Sequence, residues 1–136
     1  MADVARIGER GRFVVPKQLA SDLSWTSGGE ALVGLPESGR VRFAAWHEEG
    51  AKIERKRVEL RESARRGDQR ALDELLNVEN SFLRLSFERG RRLTLPLLVL
   101  THLGVSEGDV FCVRRATELE LWAAHYRATR LLQRVA

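Results

Sequence analysis

Cysteine, lysine and long apolar runs are all scarce in this sequence. The single cysteine, Cys112, excludes an intrachain disulfide and points to a reducing compartment. No apolar stretch approaches the roughly 18 residues that span a bilayer. The opening MADVARIGERG also lacks the apolar centre of a secretory signal. The expectation is a cytoplasmic chain without membrane contact. The three histidines, His47, His102 and His125, share no metal-ligand spacing with Cys112 or with one another, so neither metal nor cofactor is expected. No serine or cysteine stands in a nucleophile elbow or beside a paired histidine. No enzyme is expected.

Lysine supplies only 3 of the 23 basic residues, and arginine the other 20. Arginine's planar fork matches phosphate oxygens bidentately, although GC-rich coding would favour it everywhere. The distribution is more informative than the bias. Formal charge is +1 over residues 1–46, zero over 47–86 and +3 over 87–136. The positive excess therefore lies outside the middle. With 43% hydrophobic and 31% charged residues, the 136-residue chain reads as one ordinary globular domain.

What is present is a repeat. Residues 9–16 read ERGRFVVP and residues 88–96 read ERGRRLTLP. Placing Pro16 on Pro96 gives an offset of 80, at which Leu23 meets Leu103 and Gly28 meets Gly108. In the first copy, residues 12–15 predict a short strand stopped by Pro16, which is well placed to open a helix. Leu19, Ala20 and Leu23 predict two helical turns. Strands are expected over 30–35 and 40–46, joined by the turn residues 36–39. The second copy predicts a strand over 93–95, a helix from Pro96 ended by Gly104, and strands over 110–114 and 118–122 with a tighter connection. Further strands are expected over 4–7 and 82–87. Between the copies, Ile53, Leu60 and Ala64 mark one helix. After Gly67, Asp68 should cap a second carrying Ala71, Leu72, Leu75, Leu76 and Val78. Tyr126, Leu131 and Leu132 suggest a last helix.

GRFVVPKQLASDL, followed by a glycine turn and two strands, resembles the AbrB/SpoVT swapped-hairpin DNA-binding element. Two such copies with helices between them, the second ending in ELELW (118–122), resemble the MraZ family of bacterial division and cell-wall gene regulators. The resemblance runs from about Val4 to Tyr126. It implies an α+β, β-rich fold in which two swapped-hairpin AbrB-like repeats form one pseudo-twofold barrel. Within a single domain, 1–136, the repeats would be 4–46 and 81–123, with a helical insert at 47–80 and a C-terminal helix at 124–136. It also implies a ring-like homo-oligomer that binds direct repeats in double-stranded DNA upstream of its own operon, at the nucleoid. The family's contact motif is an acidic residue followed four positions later by arginine. Glu88 and Arg92 match it; in the first copy Arg12 matches, but Gly8 stands at the acidic place. When the prolines are aligned, Arg91 also takes the position of Gly11.

The residues support a nucleic-acid site in their own right. Arg10, Arg12 and Lys17 cluster around one turn, and Arg89, Arg91 and Arg92 around the other, with Glu88 completing the candidate DNA-binding set. Gly11 and Gly90 would let each turn be tight. Arginine can hold phosphates for affinity or guanine edges for specificity. One protomer makes few contacts, so tight binding calls for several protomers on spaced half-sites. A plain solvated turn is the alternative for each cluster. Gly8-Glu9-Arg10-Gly11 also fits the GxxG loop of a KH domain, but that loop needs helices on both sides and a strand follows here. A second functional reading is an antitoxin-like or protein-interaction module on the same fold, working through the insert. Finally, Leu97, Leu98, Val99, Leu100 and Leu103 make the second copy's helix apolar on nearly every side. Another protomer, or the central or C-terminal helices, should cover it.

Overall fold

Short β-branched and aromatic runs that alternate with charged residues build most of the chain. The computed structural model describes residues 2–123, so the expected helix at 124–136 lies outside the described residues. The first half comprises β1 (Ala2–Ile7), β2 (Arg12–Val14), a helical turn α1 (Lys17–Ala20), β3 (Glu30–Glu37) and β4 (Arg40–Ala45). A π-helical turn, Trp46–Gly50, leads into α2 (Ala51–Arg65) and α3 (Gln69–Glu79). The second half repeats the plan with β5 (Leu83–Phe87), β6 (Arg92–Thr94), α4 (Leu97–Leu103), β7 (Gly108–Arg115) and β8 (Glu118–Trp122).

All eight strands join one antiparallel sheet in the order β5-β3-β4-β8-β7-β1-β2-β6. Its two ends meet at a single bridge, Glu88 to Arg92, so the sheet is a nearly closed barrel. The pairings cross between the halves. β1 lies on β7 and β5 lies on β3, while β4 pairs with β8 and β2 with β6. Period-two alternation decides what faces inward. Phe13 is fully buried between exposed Arg12 and Val14, as is Leu93 between Arg92 and Thr94. With Ile7, Leu32, Val41, Phe43, Cys112, Leu119 and Leu121 they fill one continuous core. Burying each such large side chain stabilises the barrel by about 1.5–3 kcal/mol.

Three local expectations need correction. α1 has one regular turn, not two: past Ala20 the chain continues only as a looser turn, in which the Leu23 amide donates to the Ala20 carbonyl, and Ser24 at φ 60° ends it. Leu23 is nevertheless buried. Pro36 and Glu37 belong to β3 rather than to the turn. Pro36 is tolerated there because β5 stops opposite Gly34 and leaves no further neighbour on that side. The two hairpin connections are also equally tight, since Glu37 pairs with Arg40 and Arg115 with Glu118. Other signals hold. Asp68 accepts from the Ala71 amide at 3.2 Å, and Gly104 ends α4 at φ 69°.

The α2–α3 hairpin has little core of its own: α2 has no buried residue and α3 only Ala71. Ion pairs Lys56–Glu74 and Arg57–Glu79 link the helices. An alternating stack fastens their base to the barrel, with Arg84 over Trp46, Trp46 beside Phe82, and Arg57 over Phe82. Gly50 packs so close to the Trp46 indole that a Cβ would lie 2.3 Å from it. Among the described residues, no helix is long and apolar enough to cross a membrane.

Candidate nucleic-acid interface

The pairing of β2 with β6 determines the site. Its register sets Arg12 opposite Thr94, Phe13 opposite Leu93 and Val14 opposite Arg92. Because Phe13 and Leu93 point into the core, Arg12, Val14, Arg92 and Thr94 form the outward face of a two-stranded ribbon, with the arginines on a diagonal. Three residues per strand make the ribbon about 10 Å long. Antiparallel pairing then sends the turns that precede the two strands to opposite ends.

Each turn carries two consecutive left-handed residues, Arg10 (φ 57°) with Gly11 (φ 75°) and Gly90 (φ 71°) with Arg91 (φ 58°). This is the backbone of the tight hairpin turns that match strand twist. The order of glycine and arginine is reversed, yet each turn holds one left-handed arginine. The Gly8 amide donates to the Arg12 carbonyl, and the Glu88 amide to that of Arg92, both at 2.8 Å. Each turn is also tied to the other half: the Val15 amide donates to the Arg91 carbonyl at 2.9 Å and the Leu95 amide to that of Gly11 at 2.8 Å.

The structure distributes the seven sequence-derived site residues unevenly. Arg10 and Arg89 are exposed at the two tips, and Lys17 is exposed at the start of α1. Arg91 is only half-exposed, and its Nε donates to the Val15 carbonyl at 3.1 Å. It therefore braces the ends of β2 and β6 as well as carrying charge. Glu88 accepts from Arg92 Nε at 3.3 Å and from Thr94 Oγ1 at 3.1 Å. Arg12 has no such clamp: Gly8 supplies no carboxylate, and Arg12 makes no side-chain hydrogen bond or ion pair among the described residues. Sequence reasoning missed Arg6, which is exposed on the outer side of β1, beside β2. The alternation in ADVARI, where Ile7 points inward, would have found it. Asp109, opposite Arg6 in register, is exposed too and offsets part of its charge.

Other polar groups hold the fold. Glu120 is 2% exposed and accepts from Arg40, Arg115 and Trp122 at 2.9, 2.8 and 3.1 Å. His102 Nε2 faces the Glu37 and Arg40 carbonyls at 2.6 and 3.1 Å, so it must carry the proton there. Burial, with help from Asp3, pushes the Cys112 thiol up to about 12, which leaves it a protonated core residue. Among the described residues, no group of three His, Cys, Asp or Glu side chains could hold a metal. The helix α4 is not covered on every side among the described residues. Val99, Leu100 and Leu103 are buried, but Leu97 and Leu98 are 77% and 68% exposed. They replace Lys17 and Gln18 of the first half.

No protein-family model matches the chain, and no curated protein matches it.

Proposed function

We propose that this protein is a transcriptional regulator of the MraZ-like, swapped-hairpin kind that binds double-stranded DNA through the β2–β6 ribbon and its two flanking turns. The observation that carries the reading is the outward face of that ribbon, where Arg12 and Arg92 lie on a diagonal between two arginine-tipped turns. The major groove, about 12 Å wide, admits a two-stranded ribbon. Arginines at both of its ends can reach the flanking phosphates. Strand pairing supports the swapped-hairpin part of the proposal, since the first strand of each half pairs with the hairpin of the other. Neutralised ribbon contacts from one copy are few, so the working form is a homo-oligomer on repeated sites. Exposed Leu97 and Leu98 are suited to self-association. Such a regulator works in the cytoplasm, at the nucleoid.

The test is binding of the full chain to duplex from the region upstream of its own gene. The expected result is binding that the double variant Arg12→Ala/Arg92→Ala abolishes while its melting temperature stays within a few degrees of wild type. A second reading, a protein-interaction module with no DNA role, is favoured by exposed Val58, Leu72 and Leu76 on the insert. It predicts no DNA affinity at low salt and a co-purifying partner that Leu72→Ser/Leu76→Ser releases.

A further inference from the structure

The two ribbon arginines sit 80 positions apart in equivalent strands, yet their surroundings differ in a way that bears on what each can bind. Arg92 is half of an ion pair with Glu88, and the same carboxylate holds Thr94. Two consequences follow. The pair is close to neutral, so it offers little to a phosphate and releases few counterions. The guanidinium also has fewer ways to point, since Nε is held by Glu88 and the Nη groups remain for a ligand. Orientation is what a bidentate contact with a base edge demands. Arg12 is the opposite case. Gly8 stands where Glu88 does, Val14 stands where Thr94 does, and no described group neutralises or orients Arg12. It keeps its full charge and its rotamer freedom, which suits a phosphate and not a base.

We infer that the repeats divide the labour: Arg92, positioned by Glu88, reads base edges, while Arg12 anchors the ribbon to phosphate without regard to sequence. The inference rests on the DNA-binding reading above and deepens it. Each protomer then contributes one sequence-reading element and one indifferent anchor, so each target subsite has a specified part and an unspecified flank. Glu88 is a positioning residue. Removing its charge frees Arg92 to behave as Arg12 does.

The structure also permits the reverse exchange. Gly8 lies at φ −91° and ψ −166°, ordinary extended backbone. A Cβ there would meet only the Arg12 carbonyl, at 3.5 Å, an ordinary contact. The backbone at Gly8 therefore admits a side chain, and with Val14 exposed, Gly8→Glu with Val14→Thr tests transplanting the clamp into the first repeat.

The experiment measures anisotropy of the full-length chain on two duplexes, one selected from a random pool by the wild type and one scrambled version of equal length, over a range of salt. Arg12→Ala should weaken both duplexes alike and lower the log–log salt slope by about 0.9 per bound protomer. Arg92→Ala and Glu88→Ala should cut the selected-to-scrambled ratio by about 5- to 150-fold. Arg92→Ala should leave the slope nearly unchanged, and Glu88→Ala should raise it. Gly8→Glu/Val14→Thr should lower the slope as Arg12→Ala does and, reselected from the random pool, specify additional positions. All these side chains are exposed or half-exposed, and a melting curve for each variant confirms folding. Equal effects of Arg12→Ala and Arg92→Ala on ratio and slope would overturn the division, as would an undiminished ratio in Glu88→Ala, with DNA binding itself left standing. A wild type that binds neither duplex at about 50 mM salt would overturn both readings.

Discussion

Replacing Gly11 by alanine should damage the fold far more than the same change at Gly90, although both glycines occupy left-handed turn positions. At Gly90 (φ 71°) a Cβ would meet nothing within 4 Å. The cost there is the left-handed backbone alone, about 1 kcal/mol. At Gly11 (φ 75°) an ideal Cβ would lie 2.3 Å from the Leu95 carbonyl oxygen. That oxygen belongs to backbone, not to the end of a flexible chain, so β6 or the turn must move. Movement strains the 2.8 Å bond from the Leu95 amide to the Gly11 carbonyl, worth about 1 kcal/mol. It also disturbs packing around Leu95, which is 2% exposed, by a further amount of about 1–3 kcal/mol. The expected total is about 4 kcal/mol for Gly11→Ala against about 1 kcal/mol for Gly90→Ala. For 136 residues each kcal/mol moves the melting temperature by about 3.5 °C, so the shifts should be near 14 °C and 4 °C. Differential scanning calorimetry or urea titration of the three proteins measures them. Similar losses at the two positions would mean that the Leu95 carbonyl does not obstruct a side chain at position 11. The turn would then accommodate a side chain at position 11 as it accommodates Arg91 at the matching place.

Three further predictions concern the polar groups of the barrel. Glu120→Ala strips Arg40, Arg115 and the Trp122 indole N–H of their shared acceptor; because Arg115 is well exposed and can rehydrate, the loss should be about 2–3 kcal/mol, at the low end for a broken buried pair, and a urea midpoint shift equivalent to less than about 0.5 kcal/mol would contradict it. Cys112 keeps its proton in the folded state up to about 12, whereas the unfolded thiol ionises near 9.0. The unfolded state therefore binds fewer protons in that window, and stability should fall there by up to about 1.4 kcal/mol per pH unit. Cys112→Ala should flatten that part of the alkaline stability curve, and an unchanged slope would count against the burial argument. His102→Ala removes the donor shared by the Glu37 and Arg40 carbonyls; it should cost about 1 kcal/mol and speed hydrogen exchange at the Ser38 and Gly39 amides, with unaltered exchange as the contrary result.

Local chemistry in the chain was legible wherever one residue type had one job. Pro16 and Pro96 mark the helix starts, Gly104 the left-handed end of α4, and Asp68 the cap of α3. The 80-residue offset foretells equivalent elements in the two halves. What could not be read from spacing is partnership. Nothing local in Arg12–Val14 says that it pairs with Arg92–Thr94 rather than only with β1, because strand pairing is a long-range packing result. The same holds for the candidate site. Sequence placed Arg12 and Arg92 in separate basic turns, whereas the fold puts them on one face. Arg91 read as a free basic side chain, but its Nε is committed to the Val15 carbonyl, 76 positions away. α1 fell short of its expected length because the chain leaves the right-handed region at Ser24, φ 60°, a backbone break that apolar periodicity does not register.

The proposed role of the β2–β6 ribbon in DNA binding is open to a salt titration of duplex binding. Fluorescence anisotropy would compare wild type with Arg12→Ala/Arg92→Ala on upstream duplex from about 50 to 200 mM salt. If the assembled protein neutralises about 6–10 phosphates, wild-type affinity should fall by about 10³–10⁵ over that range, and the double variant should show no measurable binding at any point of it. Absence of wild-type binding at the lowest salt would rule out a DNA-binding ribbon, and so would a double variant that binds with wild-type affinity and slope.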